Sequence, residues 1–516
     1  MDRDRSEFPG KPLWLDRHLA LRLTAHFRCS YADLPGGFVA ALRLWQWEKL
    51  RDTFFSAVDG SLHYRTIRRD GAFSLSPEIA GHAGFSEIPA ASPAGRLGSA
   101  RIDEAIRREL EQLPFTLPEQ LADAPESFLA VGHNDVSGLI SLPTSGTTGR
   151  GKRIFCTEDD LSETAAFFRH GMQYMVRPGG VNGREDHVVL LMSGDRPGSV
   201  GDLLRRGMAD LGVPCTVAGF VRPGPGGEEA MLEQLIRLRP TCLVGVPGQL
   251  FSLARHPGAA KLEGSVRSVL LSGDAVTPPL REGIDKGFGC KVHVHYGLTE
   301  TGLGGAVECS ERDGGHMREA DLIHEILDAD GKALPHGRWG EVVITTLTRR
   351  AMPLLRYRTG DEGCILPAPC VCGSILGRLK IRGRISQSID LSGGGRLHMT
   401  DIDQRLYALP FVQRYAATLH ERGSDGGKDC LVLDFRRTPD APENAGELAA
   451  EALSRLQQVR IIYGSEDLES TAPGLPLLIR TSHPGHEKGD GDDVLRHQAK
   501  QSIRRSTGPV FGPDDV

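Results

Sequence analysis

The stretch SLPTSGTTGRGKR, from Ser141 to Arg153, crowds glycines and hydroxyl residues ahead of a lysine and lies between two apolar segments. A loop of this kind wraps phosphate. Gly146 and Gly149 let the backbone N–H groups approach closely, Thr144, Ser145, Thr147 and Thr148 add donors, and Lys152 adds positive charge. A flexible Ser/Thr/Gly linker is the plain alternative, but linkers rarely set a lysine between two apolar segments. The sharper rival is a Walker A loop. Gly146, Gly151 and Lys152 satisfy its G-x-x-x-x-G-K part, yet Arg153 stands where a Ser or Thr should hold magnesium, which argues against a P-loop NTPase.

Downstream of this loop, short apolar runs (HVVLLMSG, TCLVGVP, VRSVLLSGD, KVHVHYG) are separated by helix-length stretches such as DLLRRGMADLG and EEAMLEQLIRLR. That alternation predicts parallel strands with crossover helices. Between about His324 and Asp361, runs such as EVVITTLT come without helices, which predicts an antiparallel β subdomain. Upstream, LDRHLALRLTAHF and FVAALRLWQWEKLRDTFFSAV repeat apolar residues at helical spacing. The fold class expected is therefore α/β. A large N-terminal domain (1–384) combines a helical opening, parallel sheets and a β subdomain, and a small α+β domain (385–516) follows. In the latter CLVLDFR reads as a strand, ELAAEALSRLQQVR as a helix and GHEKGDGDD as a loop.

Bulk composition narrows the function. A chain of 516 residues is too long for one hydrophobic core, and its formal net charge of −6 offers no basic field for a nucleic-acid backbone. No run approaches the roughly 18 apolar residues of a membrane span, and the opening MDRDRSEFPGKPLW is charged where a secretory segment is apolar. Neither nucleic acid nor membrane is expected as a partner, and the location expected is cytoplasmic. Ten cysteines over this length do not make a disulfide scaffold.

Further motifs follow the loop in order, and with TSGTTGRGK they resemble the adenylate-forming superfamily of acyl-CoA synthetases, nonribosomal-peptide adenylation domains and luciferases. LSGDAV resembles the segment lining the adenine pocket, which points to Ser272, Gly273 and Asp274. HYGLTETG resembles the motif beginning at His295 in which Tyr296 and Gly297 would flank adenine, Thr299 would meet the α-phosphate and Glu300 would hold magnesium. LLRYRTGD resembles the segment whose final carboxylate, here Asp361, accepts both ribose hydroxyls, and IRGR places Arg384 at the end of the large domain. The residue types suit these tasks on their own terms: a carboxylate accepts from two adjacent hydroxyls, and carboxylate oxygen is the ligand that hard magnesium prefers. Taken singly, Asp361 also reads as a turn aspartate and Tyr296 as a half-buried core aromatic.

Within that superfamily the chain resembles the phenylacetate-CoA ligase branch, from WQWEKLRDTFFSAVDGSLHYR through GGHM and TLTRRAMPLLRYRTGD to the CxCG segment. The resemblance implies activation of an aryl or related small carboxylic acid with ATP, Mg²⁺ and CoA. The carboxylate attacks the α-phosphorus to give acyl-AMP and pyrophosphate, and the CoA thiol then displaces AMP. Cys309, His316, Cys370 and Cys372 are the inventory of a closed tetrahedral zinc site, which members of the branch carry, with Cys364 as a spare. Unlinked buried cysteines and a surface histidine are the alternative.

The C-terminal part departs from the pattern. GRISQS puts Ser386 and Gln387 where the family usually has an acidic hinge, and Lys500, with Lys488 as the alternative, is a loose match to the family's C-terminal catalytic lysine. The segment SGDRPGSVGDLLRRG replaces a Gly- and aromatic-rich run and suggests either a more polar substrate or plain surface. Three readings stay open: an acid-CoA ligase, an adenylating enzyme with an amine or carrier thiol as acceptor, and a non-catalytic nucleotide-binding protein. A homodimer is the candidate assembly.

Overall fold

The computed structural model describes residues 14–71, 99–142, 152–177, 185–194, 196–222, 226–390, 396–420, 430–454, 459–463, 475–482 and 503–506. The chain divides into two compact units. One comprises Met1–Asp186, Ser193–Cys215 and His293–Ile381, and the other His187–Met192, Thr216–Val292 and Arg382–Val516.

The first unit sets helices against antiparallel strands. Helix Phe38–Gly60 buries Leu42, Leu50 and Phe54 at helical spacing. Side chains from the same helix satisfy carbonyls of the β subdomain: Trp45 Nε1 donates to Ala320 O (2.8 Å), Gln46 to Glu319 O (2.8 Å) and Thr53 to Leu347 O (2.7 Å). Strand Leu322–Leu327 pairs antiparallel with Gly340–Thr346, which pairs with Tyr357–Ile365. The expected β subdomain is thus present. A bulge opposes Val342 to the Thr359–Asp361 stretch, and Gly360 there takes a φ of 72°, a left-handed conformation that glycine adopts without a Cβ clash. Helix Glu158–Met172 starts at a capping box in which Thr157 accepts from Asp160 N and Asp160 accepts from Thr157 N, satisfying two otherwise orphaned donors.

The polar segment after strand Val188–Leu191 also has a local role. Ser199 caps helix Val200–Ala209 and Asp202 accepts from Gly198 N. Arg206 pairs with Glu158 at 2.8 Å and with Asp202 at 3.4 Å. Asp202 thus serves the N-terminus of that helix and Arg206 pairs along its exposed surface.

In the second unit, strands Val188–Leu191, Cys242–Gly245 and Ser268–Ser272 run parallel, with helices Gly227–Leu238, Pro247–Ala254 and Pro278–Phe288 along the chain between and after them. The strands are buried throughout their length apart from their last residue, Ser272, as sheets covered on both faces require. Proline at the first turn starts two of those helices, where its missing N–H costs nothing. The C-terminal residues add helix Met399–Leu406, helix Ala445–Ser454 and a five-stranded sheet. The second of those helices is shorter than ELAAEALSRLQQVR suggests, because the β-branched run at Val459–Tyr463 is a strand.

One hydrophobic cluster joins both parts of this unit, running from Val189, Leu250 and Phe251 to Met399, Tyr407 and Leu453. Two buried polar groups accompany it. Glu228 accepts from Ser252 Oγ and from Gln413 Nε2 (3.0 Å), and Tyr415 OH donates to Asp403 at 2.6 Å. Burial pushes the Asp403 carboxyl up to about 8 against the pull of the Tyr415 hydrogen bond, with Asp274 adding to the rise. The folded state therefore holds this proton more tightly than the unfolded chain, so the stability contributed is complete below pH about 4 and is lost as pH rises toward the folded value. Asp403→Asn should raise the urea midpoint more at pH about 8.5 than at about 5.5. An equal gain at both pH values would refute this.

Candidate active site and metal centre

Three segments far apart in sequence meet in the first unit. Lys152 opens a strand, Glu300 follows strand Lys291–Tyr296, and Tyr357 opens strand Tyr357–Ile365. Lys152 Nζ donates to Glu300 Oε1 (2.7 Å) and to Tyr357 OH (2.7 Å), while Tyr357 OH donates to the same Glu300 oxygen. Glu300 and Tyr357 are 3% and 0% exposed, so the junction is buried. Arg349 Nη1 donates to Glu300 O at 2.8 Å and holds the backbone of the same turn.

A second junction joins two of these three segments. Tyr296 OH donates to Asp361 Oδ2 at 2.8 Å, and Asp361 N donates to Thr359 Oγ1 at 3.0 Å. Gly297 is required by space: a Cβ there would lie 2.3 Å from Leu303 O. His295 is buried against Phe168, with ring centroids 5.6 Å apart, and burial lowers its pKa to about 4, which keeps the ring neutral. Thr299 is buried, and its backbone carbonyl accepts from Gly302 N at 3.0 Å.

Ser272, Gly273, Asp274 and Arg384 belong to the second unit. Gly273 follows a parallel strand with a φ of 95°, and Asp274 Oδ1 accepts from Ala275 N at 2.9 Å. Gln387, which stands where an acidic hinge is usual, caps the short turn Ile385–Gln387 by accepting from Arg384 N at 3.1 Å. Thr144, Ser145, Gly146, Thr147, Thr148 and Gly149 lie outside the described residues, as do Lys488 and Lys500.

Tyr357 was not singled out from the sequence although it sits inside LLRYRTGD. The sequence signal is the two-residue spacing of Tyr357, Thr359 and Asp361, which in a strand puts all three on one face, and the structure buries that face.

Elsewhere in the first unit, Cys309, His316, Cys370 and Cys372 present ligand atoms that all lie within 4.8 Å of one another. Cys309 Sγ is 3.8 Å from Cys370 Sγ, and Cys372 Sγ is 3.3 Å from His316 Nε2. The sulfur separation is far too long for a disulfide. His316 Nδ1 lies 3.2 Å from Leu376 O, which can only accept, so Nδ1 carries the proton and Nε2 turns its lone pair toward the sulfurs. Cys364 instead donates to Ile365 O and stands outside the cluster.

With this geometry in place, similarity to known proteins becomes informative. The family described as AMP-binding enzyme matches residues 130–348. A phenylacetate-coenzyme A ligase of Thermus thermophilus is 31% identical over 347 residues, covering 64% of this chain and 73% of that protein. The chain belongs to the phenylacetate-coenzyme A ligase family. Another member, from Pseudomonas putida, is 30% identical over 331 residues, covering 62% of this chain and 72% of its own length. A crystal structure of 2-hydroxyisobutyryl-CoA ligase in the postadenylation state has a TM-score of 0.68 at 17% identity, covering 90% of this chain and 89% of that one, which shows the shared adenylate-forming fold. Among the described residues, no helix is long and apolar enough to cross a membrane. As a member of this family the chain is an AMP-forming acid-CoA ligase that uses ATP and CoA.

Proposed function

We propose that the acid is an aryl acid or a close relative, that Lys152, Thr299, Glu300 and Asp361 carry the nucleotide chemistry, and that Cys309, His316, Cys370 and Cys372 hold a structural zinc. The observation supporting the catalytic assignment is the junction of Lys152, Glu300 and Tyr357, which joins three separate motif segments around one buried carboxylate. In the first half-reaction a carboxylate oxygen attacks the α-phosphorus and the bond to pyrophosphate breaks. Lys152 stabilises negative charge on the phosphates, with the loop around Thr144, Ser145, Thr147 and Thr148 supplying further donors, and Asp361 accepts the ribose hydroxyls. Glu300 is the oxygen ligand for Mg²⁺, which when bound neutralises phosphate charge. In the second half-reaction the CoA thiol attacks the acyl carbon, and AMP leaves with the electrons of the broken C–O bond. Ser272, Gly273, Asp274, His295, Tyr296, Gly297 and Arg384 keep their nucleotide-binding assignments, and Lys500 or Lys488 serves the first step. The boundary at Arg384 and a cytoplasmic location, where ATP and CoA are both at hand, belong to the same proposal.

Pyrophosphate and AMP release, measured with a panel of aryl and short aliphatic acids with and without CoA, tests this reading. Aryl-acid-dependent pyrophosphate and CoA-dependent AMP are expected. Turnover restricted to aliphatic acids would overturn the substrate assignment, and AMP release indifferent to CoA would point to another acceptor. Asp361→Ala should weaken ATP binding by about 10- to 100-fold, since the bonds lost are made to a charged acceptor. Calorimetry showing less than a threefold change would remove the ribose role.

A further inference from the structure

We propose that Arg349 is a positioning residue for adenylation, which fixes the turn carrying Glu300 against the strand carrying Lys152 by contacts that neither of those side chains makes. This rests on the nucleotide reading of Lys152 and Glu300 given above.

The turn that carries Glu300 is tied within itself. Thr301 Oγ1 accepts from Leu298 N (2.9 Å) and donates to Leu298 O (3.0 Å), and Leu303 N donates to the same carbonyl at 2.7 Å. These bonds set the shape of the turn, whereas its placement needs contacts from outside. Arg349 reaches it from the loop after strand Gly340–Thr346. Its Nη1 donates to Glu300 O at 2.8 Å, and its Nη2 lies 2.6 Å from where a Cβ on Gly302 would fall. Gly302 takes a φ of 67°, so glycine there both makes the left-handed bend and leaves the space that the guanidinium fills.

The loop that bears Arg349 is itself fastened to the Lys152 strand. Asp160 Oδ1 accepts from Arg350 N (2.8 Å) and Oδ2 from Ala351 N (3.0 Å), while Oδ2 also accepts from Thr157 N (2.9 Å), directly after strand Lys152–Cys156. Within that strand Phe155 N donates to Met352 Sδ at 3.4 Å. Ala351 O accepts from Ala130 N at 2.9 Å. A path of hydrogen bonds thus runs from the Lys152 strand through Asp160 and loop 349–352 to the main chain of Glu300.

That path matters when the nucleotide binds. The ion pair of Lys152 and Glu300 spans the same two elements at 2.7 Å, but it is made by the groups proposed to meet phosphate and Mg²⁺, so it weakens as they take up those roles. Arg349 holds a carbonyl and Asp160 holds amides, so these bonds need not be given up. Ground-state binding tolerates a small slip because each contact relaxes separately, whereas the transition state needs all of them aligned at once, and a misplacement of about 1 Å costs about 100-fold in rate.

The test compares Arg349→Met, Arg349→Lys and the native protein in pyrophosphate formation, with the best acid of the panel above, and in binding of ATP with Mg²⁺ by calorimetry. Arg349→Met keeps much of the apolar stem and removes the donors. Its kcat should fall about 10- to 100-fold while its ATP affinity stays within about threefold of native, the split expected when alignment alone is lost. Arg349→Lys keeps a charged donor and should return to within about fivefold of native. A purely structural loss would lower affinity and the number of binding sites together, with no rescue by lysine. That pattern, or a kcat for Arg349→Met within about threefold of native, overturns the proposal. Glu300→Gln separates this failure from that of the nucleotide reading. A slow Glu300→Gln beside a fast Arg349→Met removes Arg349 alone, whereas a native-like Glu300→Gln, or a native protein that forms no pyrophosphate with any acid, removes both. Should Arg349→Met not fold, Asp160→Asn, which weakens the anchor of the same loop, must show the same split in smaller measure, and its absence overturns the proposal.

Discussion

Glu300→Gln is expected to lower acid-dependent pyrophosphate formation by about 100-fold or more while leaving the chain folded. The amide keeps the shape of the side chain and removes its charge. Lys152 then faces a neutral group in a site where Tyr357 is fully buried, and the oxygen proposed to hold Mg²⁺ becomes a poor ligand. Removing one group that stabilises charge developing in the transition state costs about 100- to 1,000-fold in rate, so two orders of magnitude is the lower end of the range. Breaking a buried pair on one side costs folding stability about 3–5 kcal/mol, and the cost here should be smaller, because the Lys152 side chain is 14% exposed and its flexible stem can carry the ammonium toward solvent. Pyrophosphate exchange together with a thermal melt checks both parts. A variant that folds and retains a rate within tenfold of native would remove Glu300 from the chemistry.

Cys309→Ser is expected to abolish metal binding and to loosen the segments on either side of the proposed zinc. The native protein should carry about one zinc per chain by elemental analysis, and the variant less than about a tenth of that. Four protein ligands would close the coordination shell of such a metal, which would then serve folding, and structural zinc of this kind contributes about 10–16 kcal/mol of apparent binding free energy in small peptides. The effect should be local. Cys309 follows strand Ala306–Glu308 and His316 lies within Gly315–Met317, the strand paired with it. Arg378 pairs in register with His316, just after the loop that carries Cys370 and Cys372. Proteolytic cutting within 309–316 or 368–376 should therefore appear in the variant and in chelator-treated protein. Native protein prepared without chelator and found free of zinc would refute the assignment.

Much of this site was legible because its chemistry is written in short segments. The carboxylates at Glu300 and Asp361 and the lysine at Lys152 stand inside ordered motifs, with Lys152 at the start of a strand, Glu300 in the turn after one and Asp361 at the bulge within one. The alternation of apolar runs with helix-length stretches foretold the parallel strands for a similar reason, since periodicity is a local property. Less was legible where a residue's role depends on a distant partner. Nothing near Arg206 in sequence says that its guanidinium pairs with Glu158, 48 positions away, so composition alone leaves the segment open between substrate contact and plain surface. Helix Ala445–Ser454 was overextended because its helix-forming residues run on into a segment that joins a sheet, and sheet pairing overrides propensity.

The sequence by itself determined the fold class, the family and the inventory of reactive groups, because side-chain chemistry and hydrophobic rhythm are carried residue by residue. The tertiary structure alone decided which of those groups meet. It brought Tyr357 to Lys152 across 205 positions and Lys152 to Glu300 across 148, and it gathered Cys309, His316, Cys370 and Cys372 while leaving Cys364 aside. Contacts of that separation form only when a whole sheet and its covering helices close, and no local pattern encodes the closure.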